Sequence, residues 1–147
     1  MSGLSIVAAA DQAGYTVFAA ALRSSDLMRA LGERGPFTMF APCDAAFDKF
    51  SRAARDRLLE GDAAMLNAVL GYHFAAGKVT SAQFAGKYIN AVTHQGENLS
   101  IDGRTKQMRV NKAALIDPDR LASNGIIHGI DGVLWPKVDA RAIAGAA

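Results

Sequence analysis

The stretch that most constrains the fold is Asn124-Gly125-Ile126-Ile127-His128-Gly129-Ile130-Asp131-Gly132-Val133-Leu134-Trp135-Pro136. Its apolar residues are interrupted only by His128, Gly129, Asp131 and Gly132. A strand wetted on one face alternates apolar and polar side chains. This one does not, so it needs cover on both faces and a central place in a sheet. Asn124-Gly125 supplies positive φ cheaply and turns the chain straight into the strand. The strand is expected over Ile126 to Val133, with Trp135 at its end covering the core while its indole N–H finds a partner. Truncating Ile127 or Ile130 to Ala should cost ~2–5 kcal/mol through the cavity left behind.

Upstream, the spacing is helical in the first half and strand-like in the second. Tyr15, Phe18, Ala19 and Leu22 recur at i, i+3, i+4 and i+7, one face of a helix. Leu27, Ala30 and Leu31 repeat this briefly, with Ser25 or Asp26 as N-cap, until Gly32 and Gly35-Pro36. Phe37 to Phe40 reads as a short strand stopped by Pro42. Asp44 then opens a helix with Phe47 and Phe50 on its apolar side, and its carboxylate is expected to cap a first-turn amide for about 1 kcal/mol. A further helix starts near Asp62 and gathers Met65, Leu66, Val69 and Leu70. After Gly71 the period becomes two: Tyr72-His73-Phe74 up to Gly77, Tyr88 to Thr93, Leu99 to Ile101 and Met108 to Val110. Asp102-Gly103 signals a hairpin turn, Asp117-Pro118 another turn and Asn124-Gly125 a third. Helices followed by antiparallel strands indicate an α+β fold.

Composition narrows the function classes. At 147 residues the chain fits one domain with its own core, expected over residues 5–137, with 138–147 as a tail. A single cysteine, Cys43, excludes an internal disulfide and multi-cysteine zinc sites. No apolar run is long enough to span a bilayer as a helix. The net charge is +2, with basic residues interleaved with acids as in Asp48-Lys49, so no nucleic-acid partner is expected. There is no Gly-rich strand-to-helix loop for a nucleotide. Met1-Ser2-Gly3-Leu4-Ser5 lacks the basic start and apolar stretch of a secretory leader, which fits either a cytoplasmic chain or a processed exported one.

Two of these stretches are more than generic. Thr38-Met39-Phe40-Ala41-Pro42-Cys43-Asp44-Ala45-Ala46-Phe47 resembles the first signature of the fasciclin domain family, and Asn124 to Pro136 resembles the second. Between them, Tyr72-His73 with Gly77 is similar to the family's Tyr-His motif. Thr93, Gly96, Leu99 and Ile101, and then Val110-Asn111-Lys112-Ala113, match the segments that follow. The resemblance runs from about Ser5 to Pro136. It implies a wedge of two antiparallel β-sheets with helices packed to one side, in a secreted or surface protein. The implied role is adhesion or recognition, without enzymatic activity or cofactor, and with symbiosis or host contact among the roles of bacterial single-domain relatives. An extracellular or periplasmic location is implied in the same way.

The structural signature is expected to be Thr38, Pro42, Asp44, Tyr72, His73, Asn124, Gly125, His128 and Asp131. His73 and His128 could pair on a metal or act as a base, but no third ligand is in register. Buried imidazoles more often satisfy backbone groups. His94 sits in a turn-like Gln95-Gly96-Glu97 context, a poor third ligand. Cys43, at a helix start, reads either as an activated thiolate or as a small apolar residue beside Asp44. Ser123, His128 and Asp131 have the residue types of a hydrolase triad but no nucleophile elbow around the serine.

The candidate partner surface is Asp119, Arg120 and Leu121, with Glu97. In animal adhesion members of the family an Asp-Ile pair at this place is implicated in integrin recognition. Here Arg120 replaces the Ile and removes the apolar anchor. The leading expectation, implied by the resemblance, is a non-enzymatic binding module, monomeric, whose partner is a protein or glycan on a cell surface or matrix. The alternatives are a small-ligand or metal-binding protein using His73 and His128, or a self-associating structural subunit.

Overall fold

The computed structural model describes residues 6–24, 36–48, 53, 63–77, 79–93, 97–111, 113–122 and 125–134. Helices α1 (Ile6–Gln12) and α2 (Thr16–Ser24) come first, followed by strand β1 (Phe37–Pro42) and the one-turn helix α3 (Asp44–Phe47). Helix α4 (Ala63–Gly71) leads into β2 (Phe74–Ala76), and a short α5 (Ser81–Phe84) precedes β3 (Tyr88–Val92). The remaining strands are β4 (Asn98–Asp102), β5 (Arg109–Val110), β6 (Ala113–Ala122) and β7 (Gly125–Ile130).

The fold is α+β. Seven strands stand in the order β2-β1-β7-β6-β5-β4-β3. The expected pair of antiparallel sheets needs two amendments. First, β6 pairs with β5 through Ala113 and Ala114 and with β7 from Leu115 onward, so one strand joins both halves. Second, β1 and β7 are parallel, with Phe37 opposite Gly125 and Pro42 opposite Ile130. A single bridge between Ala75 and Thr93 links the two end strands, so the row curls back on itself.

This curl produces two cores. Phe40, Phe84, Leu99, Ile101, Val110, Leu115 and Ile130 pack together on one side of the strands. Met39, Ala41 and Ile127 pack on the other side with Phe18 and Leu22 of α2 and Val69 and Leu70 of α4. Alternate residues of β1 and β7 thus serve different cores, as the pleat requires. All six residues of β7 are buried and the strand lies between β1 and β6, the central position its composition demands. Its glycines have specific reasons. A Cβ on Gly125 would stand 2.1 Å from the Phe37 carbonyl oxygen, and one on Gly129 would stand 1.8 Å from the Tyr15 hydroxyl.

Several local readings are corrected. The final strand ends at Ile130, not Val133, since residues 131–132 bend away. Tyr72 and His73 form a turn and the strand begins at Phe74, because Tyr72 and His73 still donate their amides to Val69 and Leu70 at the end of α4. Asp117-Pro118 is not a turn between elements. It sits inside β6, where the register shifts twice and Asp119 takes φ 63°. The same residues that favour turns also favour bulges, where Pro needs no ladder partner. Asp44 does not cap its own helix. Cys43 occupies the N-cap position of α3, while the Asp44 carboxylate accepts from Thr16 Oγ1 at 2.6 Å and the Val17 amide at 2.9 Å, capping α2 instead. The expected features at Ser25 to Gly35, Phe50, Asp62, His94, Gly96, Lys112, Ser123, Asn124 and Trp135 lie outside the described residues.

Candidate functional site

The chemistry-bearing side chains converge on two buried imidazoles. His73 is fully buried. Its Nε2 accepts the Leu134 amide at 2.9 Å, so the proton resides on Nδ1, which donates to the Val69 carbonyl at 2.7 Å. The ring therefore ties helix α4 to the end of the second signature, with Phe18 packed against it at 5.2 Å. Burial drives its pKa down to about 4, against a partial upward pull from the Val69 carbonyl. His73 is neutral at physiological pH.

His128 has the opposite tautomer. Its Nδ1 accepts the Asp119 amide at 3.1 Å and its Nε2 donates to the Val79 carbonyl at 2.7 Å. The Phe40 ring stacks on it at 5.6 Å and the Phe84 ring meets it edge-on at 5.3 Å. Burial lowers its pKa too, opposed by the Val79 carbonyl and the Asp119 charge. Each imidazole thus has both nitrogens in hydrogen bonds to main chain, and a nitrogen so used cannot bind a metal or take a substrate proton without breaking that bond.

Around His128 the signature residues form one network. Thr38 Oγ1 donates to the Gly77 carbonyl at 2.7 Å and accepts the Val79 amide at 2.9 Å. The Asp119 carboxylate accepts the Ser81 amide at 2.8 Å and also the Ser81 hydroxyl. Desolvation alone would raise the Asp119 pKa, but the Ser81 bonds and the nearby His128 hold it below the usual carboxylate range. Gly77, Val79 and Ser81 are thereby bound to β1, β7 and β6 at once. Tyr72 completes a second network: its hydroxyl donates to the Asn98 carbonyl at 2.8 Å and accepts from Asn111 Nδ2 at 3.1 Å. Asn111, at φ 53°, also accepts the Ser100 amide through Oδ1 at 2.9 Å.

The remaining candidates separate. Asp131 accepts the Ala114 amide at 2.7 Å and so fastens the end of β7 to β6. Pro42 closes β1 opposite Ile130, and Gly125 begins β7 opposite Phe37. Cys43 is half-buried and forms no side-chain cap. Among the described residues no group of three His, Cys, Asp or Glu is placed to hold a metal ion. Of the proposed partner surface, Leu121 is 68% exposed, and the exposed Arg120 is paired with Asp117. Asp119 is committed to Ser81. Glu97 precedes β4, two strands from β6 in the sheet order, so it does not join the trio. Its carbonyl accepts the Thr93 hydroxyl at 2.8 Å.

Sequence reading put Tyr15 on a helix face but missed its hydroxyl, which donates to Asp117 at 2.8 Å beneath Gly129. Burial first, and the Asp117 carboxylate second, raise the Tyr15 pKa well above its ordinary value. The signal was Gly129 itself: a glycine amid β-branched residues marks a close approach from another element.

A curled mixed sheet backed by helices, with His73 and His128 bound into the scaffold, defines a class of domain. A model of the Fasciclin domain matches residues 13–136, and the chain belongs to that family. Protein sll1483 of Synechocystis sp. is 36% identical over 139 residues, covering 93% of this chain and 76% of that protein. The cell surface glycolipoprotein MPB83 of Mycobacterium bovis is 36% identical over 102 residues, covering 69% of this chain and 44% of that protein. The transforming growth factor-beta-induced protein ig-h3 of Sus scrofa is 31% identical over 125 residues, covering 85% of this chain but only 18% of that protein. Among solved structures, the FAS1 domain pair of the insect cell adhesion molecule Fasciclin I superposes with a TM-score of 0.61 at 22% identity. That match covers 80% of this chain and 50% of the other.

Proposed function

We propose that this chain is a non-enzymatic binding module that acts at a cell surface or outside the cell, in adhesion or host contact, as a monomer. The observation that carries the proposal is that both nitrogens of His73 and both of His128 are held by main-chain groups. The residues best equipped for chemistry are spent on holding the scaffold, which leaves recognition to the exterior. Family membership supports the same reading. One relative is described as a cell surface glycolipoprotein and one structural neighbour belongs to a cell adhesion molecule. The exterior offers Leu121 and Arg120 on β6 as one recognition surface, and Asp119 holds that strand against α5 through Ser81.

The test is a binding screen of the whole chain against immobilised matrix proteins and glycans, with Zn²⁺ titration in parallel. Saturable binding to a surface component without Zn²⁺ uptake is the expected result. Stoichiometric Zn²⁺ binding that His73→Gln or His128→Gln abolishes would replace it with the metal-site reading.

A further inference from the structure

The outward face of β3, β4 and β5 combines an aromatic ring with polar and charged side chains. Antiparallel pairing sets Tyr88 opposite Asp102, Asn90 opposite Ser100 and Val92 opposite Asn98, and Asp102 opposite Arg109 on the next strand. Directly paired residues share a face. The alternate residues Leu99, Ile101 and Val110 point into the core, so this face turns to solvent. It presents an exposed aromatic ring, Tyr88 at 51%, beside amides and a hydroxyl.

One cation on it is held in place. The Asp102 carboxylate takes Arg104 Nε at 3.0 Å and a terminal nitrogen at 3.1 Å, and the guanidinium lies 4.8 Å from the Tyr88 ring centroid. The other N–H groups of the fork are directed away from Asp102. A pre-positioned guanidinium loses little freedom when it meets an anion. The charge distribution favours such a partner. Residues 87–112 carry five basic side chains (Lys87, Arg104, Lys106, Arg109, Lys112) against Glu97 and Asp102, while the rest of the chain holds 11 basic and 12 acidic residues. The net positive charge of the molecule therefore arises from this unit.

We propose that the β3–β5 face binds an anionic polysaccharide, a chain of sugars bearing carboxylate or sulfate groups. Arg104 and Lys106, from the exposed loop between β4 and β5, meet the anionic groups, Asn90 and Ser100 hydrogen-bond the hydroxyls, and Tyr88 covers the apolar face of a sugar ring. The proposal rests on the binding-module reading above and names the partner of one surface.

Affinity electrophoresis of the whole chain through gels containing alginate, heparin, dextran or poly-L-glutamate tests it. Retardation by alginate or heparin, but not by neutral dextran, is expected; retardation by alginate shows that carboxylate suffices, and retardation by heparin alone shows that sulfate is needed. Arg104→Ala should weaken the interaction about tenfold, as loss of a charge-assisted contact does. Tyr88→Ala and Lys106→Glu should weaken it too, while Arg23→Gln on α2 should leave it unchanged. Thermal unfolding of each variant checks that the fold is kept. No retardation by either polyanion, equal retardation by poly-L-glutamate with Tyr88→Ala silent, or an equal effect of Arg23→Gln would each overturn the proposal. If Tyr88→Ala/Arg104→Ala still bound cells or matrix like the parent, this face would be excluded while the binding-module reading stood.

Discussion

The main-chain amide of Asp119 donates to Nδ1 of His128 across 3.1 Å, joining a bulge in β6 to the interior of β7. That one bond fixes the His128 tautomer, because an atom accepting an N–H carries no proton of its own. It also places the Asp119 carboxylate on the Ser81 amide and hydroxyl. The imidazole is thereby a spacer between β6 and the segment ending at α5.

His128→Ala removes a ring packed between Phe40 and Phe84 and leaves the Asp119 amide and the Val79 carbonyl unpaired. The combined cavity and hydrogen-bond losses should destabilise the domain by about 3–5 kcal/mol. Urea denaturation followed by circular dichroism measures this. A loss under 1 kcal/mol would show that the network is dispensable.

Stability should fall on mild acidification. The folded pKa of His73 is about 4, below the value of 6.5 for an exposed imidazole, so the unfolded state binds the proton first. The contribution is fully present above pH 6.5, declines as pH falls from there toward 4, and levels off below. Over that window the loss amounts to about 3 kcal/mol, with His128 acting in the same direction. Asp119, whose pKa is depressed, adds a further loss only below the ordinary carboxylate range. Unfolding midpoints at pH 7, 5.5 and 4.5 report the trend, and a flat profile would contradict the neutral, buried ring.

Asp44→Ala should cost about 1 kcal/mol, the usual worth of an N-cap. The loss should appear at α2, whose Val17 amide loses its acceptor, rather than at α3. Hydrogen exchange of residues 16–19 locates it. Faster exchange confined to residues 45–48 would return the cap to its own helix.

Gly129→Ala should destabilise by about 1–3 kcal/mol, the range for overpacking, because the new methyl group overlaps Tyr15 and comes within 2.9 Å of Asp117 Cβ. Tyr15→Phe withdraws the nearest of those atoms and should partly relieve the clash. The two changes together should therefore cost less than their sum in a double-mutant cycle. Strict additivity would mean that Tyr15 does not oppose that methyl group.

The sequence alone determined the α+β class and the two-sided burial of Ile126 to Ile130, since periodicity and composition report which faces are covered, while its signature stretches carried the family. The helix carrying Phe18, Ala19 and Leu22 and the strands around Leu99 and Ile101 were legible for the same reason. Tertiary structure alone decided which polar group meets which. Asp44 caps a helix 27 positions upstream, Asp119 reaches Ser81 across 38 positions, and His73 meets the Leu134 amide across 61. Only the crossing of β1, β6 and β7 brings such groups together. A local pattern carries the identity of a donor or acceptor, but hydrogen bonds are satisfied at about 3 Å in space, wherever the folded chain supplies the partner.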